Sequence, residues 1–155
     1  MAPLAHLTPA DEAYPAKLRA LPSPPASVSV DGPLGEAKVV AIVGTRSPDA
    51  APCAFARSLA ASVVARGGVV VSGGAAGIDA AAHEGAMDAG GRTWVVAGTG
   101  QGEVYPKEHA PLFERVVASG GAMVWPFAPG TPVHRSIWRA AWWTSMPRPL
   151  VVRAP

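Results

Sequence analysis

Between residues 38 and 152 the chain alternates between short β-branched runs and longer stretches with helical spacing, and most changes of character fall on glycine. "KVVAIVGT" is an apolar run ending at a glycine, the pattern of a strand buried on both faces. "PCAFARSLAASVVARGG" then sets Phe55, Leu59 and Val63 at helical spacing and stops at Gly67-Gly68. "GVVVSGG", "RTWVVAGTG" and "AMVWPF" repeat the strand pattern, while "IDAAAHEGAMDAGG" and "PKEHAPLFERVVASGG" repeat the helical one. "HRSIWRAAWWTSM" is a predicted fourth helix and "PLVV" a predicted fifth strand. Strand and helix alternating at this pitch predict right-handed βαβ crossovers. The expected fold is α/β, a doubly wound parallel sheet of about five strands with helices on both faces.

Residues 1–37 break the rhythm. "DEAYPAKLRAL" predicts a short helix, and "PSPPASVSVDGPLG" is Pro-rich with one alternating strand, 27–30, closed by Asp31-Gly32. The expected organisation is an N-terminal arm, 1–37, packed on a single domain, 38–155. The apolar fraction is 49%, and with 31 alanines and 17 glycines much of it is small. Small side chains favour helices packed at close range over a thick aromatic core. The single Cys53 excludes an internal disulfide and a cysteine-based zinc site. No apolar run approaches the ~20 residues of a membrane span, and no basic start or signal-type apolar core opens the chain, so the expected compartment is cytoplasmic.

In an open parallel sheet, ligands bind beyond the carboxyl ends of the strands. That rule selects three loops: "GTRSP", "SGGAAGID" and "GTGQGEVYP". A helix start offers unpaired N–H groups and the positive end of its dipole, and glycine lets an anion come close. The "SGGAAG" crossing, with Ser72, Gly73, Gly74 and Gly77, therefore suits a phosphate or carboxylate. It is neither a Walker loop nor a dinucleotide G-x-G-x-x-G. Asp79 falls in the first turn of the helix and His83 shares its face four residues on. They read either as a helix-start acid with a histidine partner or as a ribose or base contact. Gly44, Thr45 and Arg46 follow the first strand, where a guanidinium fork can take a phosphate. The pair Asp79 and His83 lacks a third ligand, so no metal site is expected.

Charge is unevenly spread. No Asp or Glu follows Glu114, whereas Arg115, Arg135, Arg139, Arg148 and Arg153 do, with Trp125, Trp138, Trp142 and Trp143. A basic, aromatic stripe is one way of holding a single strand of nucleic acid, with phosphates on arginine and bases on rings. On the predicted fourth helix, Trp138 and Trp142 read more simply as packing residues. Nucleophilic catalysis finds little support. No G-x-S-x-G elbow surrounds Ser72, and Glu84, Glu103 and Glu108 form no evident acid–base pair.

These loops, in this order, resemble the DprA/Smf family of DNA-processing proteins, a Rossmann-like group within the SLOG superfamily. The resemblance rests on "YPAKLRALPSPPASVSVDG", "VAIVGTR", "VVSGGAAGIDAAAHEGAMDAGGRTWVVAGTG" and "VYPKEHAPLFERVVASGGAMVWPF". It implies a non-catalytic, cofactor-free protein that binds single-stranded DNA, dimerises and helps load a RecA-type recombinase during natural transformation. The implied DNA contacts are Gly44, Thr45, Arg46, Ser72, Gly73, Gly74, Gly77, Asp79 and His83. The family's chains usually carry Arg or Lys where Ala76 stands, and of the "RNR" signature near 135–141 at best Arg139 remains. They also continue beyond the point where this sequence stops, so the expectation is a short or degenerate member. The alternatives are a nucleotide-binding or nucleotide-sensing protein related to nucleoside monophosphate phosphoribohydrolases, whose P-G-G-x-G-T-x-x-E segment is absent here, and an interaction module that has lost its ligand.

Overall fold

The computed structural model describes residues 4–133 and 150–153. In chain order the elements are β1 (Ala5–Leu7), α1 (Ala16–Arg19), β2 (Val28–Asp31), β3 (Val39–Val43), α2 (Ala50–Ala65), β4 (Val69–Ser72) and α3 (Ile78–Asp88). There follow β5 (Thr93–Val96), a single 3₁₀ turn (Lys107–His109), α4 (Ala110–Ala118), β6 (Ala122–Trp125) and β7 (Leu150–Arg153). The strands form one sheet in the order β1-β2-β6-β5-β4-β3-β7. Five of them, β6 to β7 in that order, run parallel. This is the Rossmann-like, mostly parallel sheet that the alternation predicts.

The side chains show why these runs are strands. Along β3 and β4, Val40, Ile42 and Val70 point to one face and Val39, Ala41 and Val71 to the other, and both faces are covered. On the first face lie α2, α3 and α4. Their contact surfaces are built from small residues, with Ala56 and Ala60 of α2 wholly buried among Ala81, Ala82 and Ala86 of α3. Gly85 sits so close to the backbone of Arg57 that a methyl group there would collide with it. The alanine-rich composition thus becomes a close α2–α3 contact. Arg57 spans its solvent edge to Glu84 and, at 3.6 Å, Asp88.

The second face is covered differently from expectation among the described residues. Instead of full helices it carries the arm, with Tyr14, Leu18 and Leu21 packed against Val28, Val71, Val96 and Val124. The buried Tyr14 hydroxyl donates to the Pro25 carbonyl at 2.9 Å. The predicted arm helix is a single turn, α1, begun by Pro15. The predicted arm strand is β2. It joins the sheet antiparallel to β6, with Val30 opposite Val124, and β1 pairs antiparallel with β2. These two strands bring the five expected to seven. The predicted helix at 134–146 lies outside the described residues. A cavity of about 750 Å³ opens on this second face, lined by Tyr14, Leu34, Val71, Trp94 and Val124. None of the candidate site residues lines it.

Candidate anion-binding site

The chain leaves β4 at Ser72 and enters α3 at Ile78, and the five residues between hold the glycines. Gly74 and Gly77 adopt φ of +77° and +81°, a region that L side chains rarely occupy. Gly74 is also walled in by Phe113 and Val95, and Gly77 by the Thr45 carbonyl and Pro48. The loop needs glycine there twice over, for its turn and for its neighbours.

Asp79 shows what the turn is for within the protein. Its side chain folds back from the first turn of α3, and Oδ2 accepts from the backbone N–H of Gly73 at 3.1 Å and of Ala75 at 3.3 Å. The glycine crossing is therefore a cradle for a negative group, part of which the chain's own carboxylate occupies. Burial pushes the Asp79 carboxyl up to about 6, against the opposing pull of the Ala75 and Gly73 N–H donors.

The neighbouring loop interlocks with this one. The Ile78 N–H donates to the Thr45 carbonyl at 3.2 Å, and a side chain at Gly44 would strike Ile78. Ser72 Oγ donates to the Ile42 carbonyl at 2.6 Å, tying the ends of β3 and β4 together. Above this buried junction Thr45 and Arg46 are exposed. The position is also topologically marked. β3 has β4 on one side and β7 on the other, so the strand order reverses at β3, where open α/β sheets form a crevice.

His83 lies beneath the crevice, wholly buried. Thr93 Oγ1 donates to the Val70 carbonyl at 2.9 Å, so the same hydroxyl accepts from His83 Nδ1 at 2.7 Å. Burial lowers the imidazole to about 3, and the ring is neutral. It offers no surface to a ligand, and its partner is Thr93, not Asp79. His109, which no motif in the sequence marks, is closer to the loop. Its Nδ1 donates to the Gly74 carbonyl at 2.9 Å, and its ring meets Phe113 edge-on. Its signal was its place just before α4, the third helix start at this end of the sheet.

Gly44, Thr45, Arg46, Ser72, Gly73, Gly74, Gly77 and Asp79 thus converge at the carboxyl ends of β3 and β4. Arg139 lies outside the described residues. Among the described residues no group of three or more His, Cys, Asp or Glu is placed to hold a metal.

The family model for DNA recombination-mediator protein A matches residues 5–140. The chain belongs to this family. It is 41% identical over 120 residues to Protein Smf of Synechocystis sp., an alignment covering 74% of this chain and 30% of that protein. Protein Smf of Escherichia coli is 34% identical over 130 residues, covering 82% and 35%. Among solved structures, DNA processing protein A from Streptococcus pneumoniae matches with a TM-score of 0.78 at 28% identity, over 90% of this chain and 49% of that one. The fold is shared with DNA processing protein A from Helicobacter pylori, a protein described for its single-stranded DNA-binding mode, at a TM-score of 0.75 and 24% identity, over 88% and 61%. The chain spans about a third of the length of the two Smf relatives. Among the described residues, no helix of this family member is long and apolar enough to cross a membrane.

Proposed function

We propose that this protein is a non-catalytic DNA-processing protein whose crevice at Gly44–Arg46 and Ser72–Asp79 binds single-stranded DNA. In this reading it acts as a homodimer and delivers the strand to a RecA-type recombinase. The observation that carries the reading is the pair of interlocked glycine loops at the strand-order reversal, with Arg46 exposed above them. A guanidinium there meets a phosphate, and the glycines let the sugar–phosphate chain approach the backbone. Asp79 and His83 act from below, one shaping the loop and the other packing the helix that carries it. Family membership supports the DNA-processing role.

Phosphate contacts release counterions, so the binding is expected to fall with salt and to tolerate any base sequence. The test is fluorescence anisotropy of a labelled oligo-dT at low and moderate salt, with native protein and Arg46→Ala. Binding that weakens with salt and with the substitution supports the reading, and the log–log salt slope should flatten by about 0.7 for one lost phosphate contact. An Arg46→Ala protein with native affinity and slope would refute the crevice as the DNA site. Failure of oligo-dT to bind, with tight binding of a nucleoside monophosphate, would replace the reading by a nucleotide-binding one.

A further inference from the structure

The loop from Ala97 to Pro106, between β5 and the 3₁₀ turn, lies at the same end of the sheet as the crevice, two strand positions from β3. Strands about 4.8 Å apart put the ends of β3 and β5 roughly 10 Å from one another. The loop is closely held. Thr99 Oγ1 donates to the Glu103 carbonyl at 2.8 Å, and the Glu103 N–H donates to the Gly100 carbonyl at 3.2 Å. The loop is also bonded to residues 127–131. The Gly100 N–H donates to the Thr131 carbonyl and the Gly130 N–H to the Gln101 carbonyl, both at 2.8 Å.

Val104 and Tyr105 stand on the first of these loops, exposed by 39% and 47%, and Val133, exposed by 42%, follows the second. They are three of the five large apolar side chains that the described residues leave exposed. Single exposed apolar residues are ordinary, but an exposed aromatic ring on a hydrogen-bonded loop, at the end of the sheet where the crevice lies, marks a contact surface. Charge does not explain what meets it. Residues 103–108 hold Glu103 and Glu108 against Lys107, so the segment gives a polyanion no net attraction of its own. What the loop offers is an exposed aromatic ring.

We propose that Tyr105 is the stacking platform for one base of the strand whose phosphate is held at Arg46. The inference rests on the DNA-binding reading of the crevice and adds to it a contact to the nucleobase. An aromatic side chain has few rotamers to lose, and every base has a π-face, so such a contact contributes affinity without reading sequence.

The test compares oligo-dT with an abasic oligomer of the same length, titrated against the native protein, Tyr105→Ala, Tyr105→Phe and Arg46→Ala. Tyr105→Ala should weaken oligo-dT by about 5- to 150-fold, the range for loss of one stacked base. It should leave the abasic oligomer unchanged, and Tyr105→Phe should bind as the native protein does. Arg46→Ala should weaken both probes. If Tyr105→Ala binds oligo-dT normally while Arg46→Ala does not, the stacking role is overturned and the crevice stands. If Tyr105→Ala weakens both probes equally, the residue serves the phosphate or the loop, and stacking is again overturned. If Arg46→Ala leaves both probes at native affinity, the crevice reading itself falls. If Tyr105→Ala shifts the oligomeric state without changing affinity, the patch is a contact between copies and the proposal fails.

Discussion

Asp79 and His83 stand four residues apart on α3, and burial drives their proton affinities in opposite directions. The carboxyl rises from 3.8 to about 6 and the imidazole falls from 6.5 to about 3. Between pH 4 and 6, folded Asp79 holds a proton that the unfolded chain has released. Over the same range folded His83 lacks a proton that the unfolded chain has bound. Stability rises with pH wherever the unfolded state binds more protons. Asp79 alone therefore makes stability fall as pH rises from about 4 to 6, and His83 alone makes it fall as pH drops from about 6.5 toward 3. One proton is worth about 1.4 kcal/mol per pH unit, so in the shared window the two slopes nearly cancel. Asp79→Asn removes one of them and keeps a carbonyl oxygen for the loop N–H groups. Relative to native protein, its stability should drop by about 2 kcal/mol between pH 6 and pH 4. Urea unfolding at pH 4, 5, 6 and 7 measures this as a widening gap in midpoints at constant m, and all other titrating groups drop out of the difference. His83→Gln should show the converse, gaining about 3 kcal/mol on native protein over the same acidification. Parallel curves for Asp79→Asn and native protein would refute the opposed-proton argument.

Two further substitutions address the scaffold. Thr93→Val removes the hydroxyl that accepts from His83 and donates to the Val70 carbonyl. Leaving His83 Nδ1 buried and unpartnered should cost about 1–3 kcal/mol in denaturant unfolding, while Thr93→Ser should retain most of the native value. Gly77→Ala forces a β-carbon into a φ of +81° and against the Thr45 carbonyl. The backbone strain alone is worth about 1–3 kcal/mol, so thermal unfolding should show a melting temperature lower by several degrees.

The parallel sheet was legible because its buried strands are short apolar runs, β-branched throughout in Val69–Val71, and each crossover is a longer segment of different period. The glycine crossing was legible as a sharp turn from strand to helix, and at 74 and 77 its glycines serve a positive φ and close packing against Phe113, Val95, the Thr45 carbonyl and Pro48. Other features depend on partners that periodicity does not reveal. β1 is three residues long and shows no alternation, and only its pairing with β2 makes it a strand. Asp79 sits at a helix start, where an acid looks the same whether it meets the dipole, a ligand or its own loop. His83 was linked to Asp79 by spacing along one face, yet its hydrogen bond runs to Thr93 on the next strand. Tyr105 carried no periodic signal at all, since its exposure is set by how the loop is held.

The antiparallel addition at one margin of the sheet bears on the order in which the protein is made. Val30 meets Val124, 94 residues later in the chain. At about 5–20 residues per second, the arm waits roughly 5–19 seconds before the strand it pairs with has been synthesised. During that interval β2 lacks its partner β6, although Val71 and Val96, which the arm also covers, have already been made. The arm's six prolines between Pro3 and Pro25 cannot donate to a strand ladder, which protects an early segment that must stay unpaired until β6 arrives.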